Sequence, residues 1–281
     1  MTNDIAPPQA VKAIDELAEE NTATISVWMG DLDGTPWLVR DADREHPAAS
    51  TLKLPLLIAV HRAAEDGRLD LGETIRVHEE FESAVGGRTY RVTEDYDNDP
   101  EPWREIGNDA SIAWLGERAI IRSSNLATNL LIERVGIDAV NAVYDEVGAT
   151  TARLRRGIQD EPASEAGFFN TATAADMAHV MVALLAGRLT PRARTTEIER
   201  VLAACETNDA IPAGLPAGTY IAHKTGWIDA ACHDVALVRP TDTAAFVLSI
   251  YSGGDLSEDD IHALVARVAT ACWEARPRLT V

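Results

Sequence analysis

A serine and a lysine three residues apart are the first candidates for catalytic residues in this chain of 281 residues. The pair is Ser50 and Lys53 in "AASTLKLPLL", and the chain has only three lysines, so this one stands out. On a helix, positions i and i+3 share a face, which lets the hydroxyl meet the amine. A serine hydroxyl needs a base to become a good nucleophile, and burial among leucines would make the amine neutral enough to be that base. The alternative is a helix-capping serine beside a lysine that reaches to solvent.

Two further segments have residues of matching chemistry. Lys224, Thr225 and Gly226 lie in "HKTGW", on a predicted strand. Ser123 and Asn125 lie in "RSSNLATN", which also contains Asn129, at the start of a predicted helix.

Periodicity predicts the elements that must position these segments. Residues 8–20 have helical spacing, residues 24–41 look like two strands around a turn, and several helical patterns fill the middle of the chain. From about residue 218 three strand patterns follow, and the chain closes with an acidic-capped helix. We therefore predict an α/β fold with one sheet built from both termini and flanked by helices, plus an all-α lobe. The predicted α/β lobe comprises residues 1–46 and 206–281, and residues 47–205 form the all-α lobe, with the site between them.

Composition excludes several function classes. The formal net charge is -20 and the pI is about 4.6, so neither nucleic acid nor an anionic membrane surface is an expected partner. We see no secretory signal and no apolar run of about 18 residues, which predicts a cytoplasmic protein, or an exported one whose leader has been removed. The three cysteines, Cys205, Cys232 and Cys272, are spaced like free thiols and not like a zinc site. We expect no metal and no cofactor, and the oligomeric state stays open.

The order S-x-x-K, S-x-N, K-T-G resembles that of class A β-lactamases and penicillin-binding proteins. The flanking "ASTLKLP" and "HDVALV" look similar too, and the likeness extends over nearly the whole chain. It implies that Ser50 is the acylated nucleophile and Lys53 its base or part of a relay. It also implies that Ser123 passes a proton to the leaving nitrogen. Lys224 would keep Lys53 neutral and, with Thr225, would bind a substrate carboxylate.

The same resemblance implies the remaining contacts. Asn125 would bind the acylamide of the substrate, and the backbone N–H groups of Ser50 and Trp227 would form the oxyanion hole. His233 lies where class A enzymes often carry a carboxylate-steering arginine, so it could contact the carboxylate. It could equally be a strand histidine satisfied by its neighbours.

Two departures from the family pattern affect the prediction. Ser124 stands where an aspartate is usual, which we expect to weaken the local network. In "RLRRGIQDEPASEAGFFN" the family's E-x-x-L-N is absent, and Glu161 is the nearest candidate for the deacylation base, with Asp160 and Glu165 close by. An acidic surface turn is the alternative for Glu161. The acidic segment 92–105 is either a surface loop or a lid beside the site.

The predicted function is a serine acyl hydrolase that hydrolyses β-lactam amides through an acyl-enzyme on Ser50. The substrate would be a small acyl compound with a carboxylate. The alternatives are a peptidase or esterase on D-amino-acid or small acyl substrates, or a penicillin-binding protein that has lost deacylation.

Overall fold

The structure is a computed structural model, and it describes residues 8–277. Eleven strands are present among these residues: β1 Thr24–Asp31, β2 Pro36–Arg40, β3 His46–Pro47, β4 Thr74–Arg76, β5 Glu80–Glu82, β6 Thr89–Arg91, β7 Asp109–Ser111, β8 Thr171–Ala172, β9 Tyr220–Ile228, β10 Ala231–Arg239 and β11 Phe246–Gly253. Five of them form one antiparallel sheet in the order β2-β1-β11-β10-β9. Strands from both ends of the chain thus meet at β1 and β11, and the predicted fold class is confirmed.

Within residues 8–277, ten α-helices surround and extend this sheet. They are α1 Pro8–Glu20, α2 Lys53–Glu65, α3 Pro100–Arg104, α4 Ile112–Ile121, α5 Asn125–Val135, α6 Ile137–Glu146, α7 Glu161–Glu165, α8 Ala174–Leu185, α9 Arg192–Ala203 and α10 Glu258–Ala275. Short 3-10 turns lie at Ala49–Leu52, Glu94–Tyr96 and Pro212–Gly214. No helix within residues 8–277 has the length and apolar character needed to cross a membrane.

Alternation along the central strands divides the core into two layers. In β1, Val27 and Met29 face one layer while Trp28 faces the other, as the period of two in a strand requires. The first layer lies under α1 and α10, where Ile14 and Leu264 are fully or almost fully buried. The second layer lies under α8 and continues into the helices α2, α4, α5 and α6. Helices cover both faces of the sheet. A site between the sheet and the helical region can therefore form at the β9 edge.

The middle of the chain is mainly helical, but it also contains short strands. Besides the main sheet, the described residues form three two-stranded pairs, β3–β8, β4–β7 and β5–β6. They lie almost wholly within residues 47–205, which the sequence predicts to be all-α. Strands of two or three residues are too short to show a period of two, so periodicity misses them.

Candidate active site

Ser50 lies in the 3-10 turn Ala49–Leu52, directly before α2. The preceding residue, Ala49, has a φ of 44°, in the left-handed region that side chains other than glycine rarely adopt. Thr51 fixes the turn from the other side, because its hydroxyl bonds to the carbonyl oxygen of Ala48 (2.6 Å) and to the Tyr251 hydroxyl (2.7 Å). The turn therefore presents Ser50, which is partly exposed, in one constrained orientation.

Gly226 of the K-T-G segment is required by close packing against this turn. A Cβ built on Gly226 would lie 2.6 Å from the backbone nitrogen of Ser50 and 2.7 Å from that of Thr51. Real Cβ atoms do not approach backbone atoms so closely, so only glycine fits. The packing places β9 directly against the turn that holds the candidate nucleophile.

Lys53 is completely buried, and its amine is fully engaged. The Nζ atom lies 2.8 Å from the carbonyl oxygen of Ser123, 3.1 Å from the Ser123 hydroxyl and 2.8 Å from the Asn125 side-chain oxygen. Burial lowers the pKa of Lys53 well below its usual value, and the charge of Lys224 lowers that pKa further, against an opposing effect of Asp97. Burial therefore favours the neutral, proton-accepting form of Lys53.

The Lys53 amine is the donor in all three contacts, to the two carbonyl oxygens and to the Ser123 hydroxyl oxygen. The loss of one proton leaves a lone pair with which the amine can accept a proton from that hydroxyl. The three bonds all go to Ser123 and Asn125, and none of the described hydrogen bonds joins Lys53 to Ser50. The amine is thus connected to a hydroxyl that can carry a proton onward.

The junction of α4 and α5 places Ser123 and Asn125. Ser123 is buried and has a φ of 57°, which turns the chain sharply before α5 begins. Ser124 is the N-cap of α5, since its hydroxyl accepts a bond from the backbone N–H of Ala127 (3.1 Å). The Asn125 side-chain nitrogen donates to the backbone oxygen of Tyr96, so this amide is held at both ends.

Asp97 supplies the carboxylate that position 124 lacks. Its Oδ2 accepts bonds from the backbone N–H of Leu126 (2.8 Å) and from the Ser124 hydroxyl (3.2 Å). A carboxylate is favourable at a helix N-terminus, where backbone N–H groups are unpaired. The weaker network expected from Ser124 is therefore offset from the acidic segment 92–105. The sequence offers no spacing rule that would pair Asp97 with α5.

Lys224 and Thr225 are fully buried beside this network. The Lys224 amine donates to the Thr225 carbonyl oxygen (2.5 Å), and the Thr225 hydroxyl contacts the backbone oxygen of Thr207 (3.3 Å). Burial lowers the pKa of Lys224, while Cys205 and Asp234 act in the opposite direction. The Thr225 hydroxyl must give up its bond to the Thr207 backbone oxygen before it can donate to a substrate carboxylate.

A cavity of about 1210 Å³ opens in front of Ser50. Of the residues predicted from the sequence, Ser50, Asn125, Glu161 and Trp227 line it. This volume exceeds what a single small acyl group needs, so the site has room for a substrate with extended substituents.

His233 is not part of the cavity wall. Its side chain is completely buried, stacks on Tyr251 at 4.2 Å between ring centroids, and meets the edge of His46 at 5.5 Å. Burial lowers the pKa of His233 to about 3, so the ring is neutral. The expected contact of His233 with a substrate carboxylate does not fit this placement, because the ring is completely buried and does not line the cavity.

The three acidic candidates on the loop before α8 have different surroundings. Asp160 is buried and accepts bonds from the Ser83 hydroxyl (2.7 Å), the Ala84 N–H (2.8 Å) and the Ala163 N–H (3.1 Å), so its role is structural. Glu165 lies 3.7 Å from an Arg88 nitrogen. Glu161 is exposed, begins α7 and lines the cavity, which makes it the one candidate placed to meet a substrate.

Asn129 holds the same loop at another position. Its amide donates to the Ile158 carbonyl oxygen (2.9 Å) and accepts from the Ile158 N–H (2.8 Å), which ties the loop to α5. Ile158 also lines the cavity, so the loop position that Asn129 holds presents an alkyl group to the cavity. The S-x-N-x-x-x-N spacing includes Asn129, but its loop partner cannot be read from the sequence.

Comparison with known proteins agrees with this geometry. Residues 9–275 match the model of the β-lactamase enzyme family. PBP-A has a similar structure, with a TM-score of 0.80, 23% sequence identity, and coverage of 96% of this chain and 98% of that one. An ancestral (GNCA) class A β-lactamase gives a TM-score of 0.81 at 26% identity, covering 95% of this chain and 100% of that one. A β-lactamase from Sphaerobacter thermophilus gives 0.77 at 25%, covering 95% and 96%.

The family match spans nearly all of the described residues, and it accounts for a serine at a helix start beside a buried lysine and a K-T-G strand. The chain belongs to the β-lactamase enzyme family and is a serine hydrolase of the class A β-lactamase-like, penicillin-recognising superfamily.

Proposed function

We propose that this enzyme hydrolyses β-lactam amides through an acyl-enzyme on Ser50. The observation that carries the proposal is the buried Lys53, whose lowered pKa and bonds to Ser123 and Asn125 suit a proton acceptor at the turn that holds Ser50. A general base of this kind typically contributes a factor of about 10² to 10⁴ in rate.

In the proposed acylation, the Ser50 oxygen attacks the amide carbonyl and its proton passes to Lys53. Backbone N–H groups of Ser50 and Trp227 stabilise the oxyanion. The C–N bond of the amide then breaks as Lys53 returns a proton through the Ser123 hydroxyl to the leaving nitrogen. The contact between Lys53 and Ser123 favours this relay. Asn125 binds the acylamide, and the charge of Lys224 keeps Lys53 neutral.

In the proposed deacylation, Glu161 activates a water that attacks the acyl carbonyl and releases Ser50. Glu161 lines the cavity, whereas Asp160 is occupied by three donors. The second candidate function is a penicillin-binding protein with slow deacylation. The exposure of Glu161 favours it, because an exposed side chain is held less firmly in position to activate water. A peptidase or esterase on D-amino-acid or small acyl substrates uses the same first step.

Intact mass spectrometry after mixing with a penicillin, followed over time, tests the proposal. We expect a transient adduct of the penicillin's mass on the wild type and none on Ser50→Ala. Ser257→Ala, which alters another serine of the cavity wall, is the matched control and should form the adduct normally. A persistent adduct would favour the penicillin-binding protein.

No adduct with penicillin, but labelling by an activated ester, would favour the peptidase or esterase. Full labelling of Ser50→Ala would overturn the nucleophile assignment, provided that circular dichroism shows the same fold for both proteins.

A further inference from the structure

The charged groups around the cavity are almost all acidic. Six carboxylate side chains line it, and Arg156 is the one lysine or arginine side chain among the described residues that do so. The six are Glu45, Asp95, Glu161, Asp229, Asp255 and Glu258. All six are exposed, and none of them forms an ion pair within residues 8–277. His46 in the same wall is neutral at physiological pH because burial lowers its pKa to about 4.

Three of these carboxylates lie together at the β9 end of the cavity. Asp229 is in the turn between β9 and β10, and Asp255 is in the loop between β11 and α10, with Glu258 at the first position of α10. A hydrogen bond from the Gly254 N–H to the Ala230 carbonyl oxygen (2.9 Å) joins the turn to the loop. The carboxylates are therefore brought to one place by backbone structure.

Two other groups of the cavity wall affect the binding of a charged ligand at this end. The N-terminus of α10 acts as about half a positive charge, which offsets only part of the three negative charges. Trp227 is partly exposed in the same wall, and an indole ring attracts cations on its face. The helix N-terminus is too weak to make the charge at this end positive, and the indole ring favours a cation.

Walls of one charge focus the field inside a cavity and raise the local concentration of the opposite charge. We propose that the substrate of Ser50 carries a cationic group, such as an ammonium, which binds at Asp229, Asp255 and Glu258 near Trp227. The inference rests on the proposed acylation of Ser50 and specifies its substrate class. The carboxylates act on a substrate whose acyl group lies at Ser50, and they determine which acyl substrates the cavity accepts. A substrate with one carboxylate is then accepted as a zwitterion in preference to an anion.

A pair of chromogenic esters tests this. Both have the same leaving group, and the acyl chain ends in trimethylammonium in one and in its neutral isostere, tert-butyl, in the other. We expect kcat/KM for the cationic ester to be about tenfold higher at low salt, and the preference to fall to about twofold in 0.5 M salt because exposed charges are screened.

Two triple variants, each with three carboxylates neutralised, provide a matched comparison. The triple variant Asp229→Asn, Asp255→Asn, Glu258→Gln should lose most of the preference while hydrolysing the neutral ester as before. The control triple Asp33→Asn, Asp138→Asn, Glu274→Gln changes the net charge equally, at exposed residues outside the cavity wall, and should keep the preference. Equal kcat/KM for the two esters, or equal loss in both triples, would overturn the inference.

Calorimetric binding of matched amides to Ser50→Ala separates this inference from the proposed function. The amides have the same two acyl ends and cannot react with the alanine variant. Tighter binding of the cationic amide supports the inference even if no ester acylates Ser50. A lack of acylation alone would reject only the proposed function. Equal binding of the two amides contradicts the inference.

Discussion

The two sides of the cavity differ in how firmly their functional groups are held. On the Ser50 side, Lys53 and Ser123 are buried and the Lys53 amine bonds to three oxygen atoms. On the side of the loop 154–170, Glu161 is exposed, whereas its neighbours Asp160 and Ile158 are firmly bonded. Preorganised groups lower a barrier because they need no rearrangement during reaction. If the enzyme acts through an acyl-enzyme on Ser50 as proposed, we therefore expect acylation to be faster than deacylation.

The largest effect is expected on the Ser50 side, from exchanging the two lysines for arginine. Lys53→Arg should lower the acylation rate by a factor of about 10² to 10⁴, because arginine stays protonated and cannot accept the serine proton. Lys224→Arg keeps the charge and should retain more activity. Rates of β-lactam acylation by stopped-flow spectroscopy measure both.

Because both lysines are fully buried, thermal melting of the two variants is the control for folding. If the folded variants lose the same factor, the division of roles between Lys53 and Lys224 is wrong.

Protonation of Lys53 gives the same comparison a pH dependence. Burial lowers its pKa in the folded state, so acylation should fall as the pH drops through that lowered pKa. The unfolded chain binds the proton up to the usual pKa near 10.4, so the free energy of unfolding should rise with pH between the two values. Lys53→Met, which does not titrate, should remove that part of the rise in urea titrations. If the free energy of unfolding of Lys53→Met depends on pH as steeply as that of the wild type, a group other than Lys53 binds the proton.

The sequence predicted much of the Ser50 side and little of the loop side, for a physical reason. S-x-x-K is a local spacing on one helical turn, and Gly226 and Lys224 lie together on one strand, so their geometry follows from their elements. The bonds of Asn129 to Ile158 and of Asp97 to Leu126 each span 29 residues. No period in the sequence relates such residues, so these contacts needed the structure.

His233 marks another limit of prediction. Its position on β10 followed from the strand pattern, but which of its neighbours would cover it did not. In the structure Tyr251, on the adjacent strand β11, stacks on the ring directly across the register. A period of two gives the face of a strand residue, whereas its exposure depends on the side chains that pack over it.

A smaller effect, limited to one step, is expected on the loop side. If Glu161 activates the hydrolytic water, Glu161→Gln should acylate at the wild-type rate and then accumulate the acyl-enzyme, with deacylation slower by about 10². Glu165→Gln, which neutralises a nearby exposed carboxylate, is the control and should turn over normally. The fraction of adduct after manual quench measures this. Wild-type turnover by Glu161→Gln would mean that the loop contributes no base and that Lys53 serves both steps.

The smallest expected effect comes from Asp97, which joins the acidic segment to the Ser50 side. Asp97→Asn removes the charge that opposes the lowering of the Lys53 pKa, so the acid limb of the acylation profile should move to lower pH. The charge-assisted bond to the Leu126 N–H is weakened as well, which should cost about 1 kcal/mol in the free energy of unfolding. Asp95→Asn makes the same chemical change on the same segment without a bond to α5, and should leave both quantities nearly unchanged. If both variants shift the acylation profile equally, Asp97 acts only through the net charge of the cavity. Its contact with the start of α5 would then have no separate part in setting the Lys53 pKa.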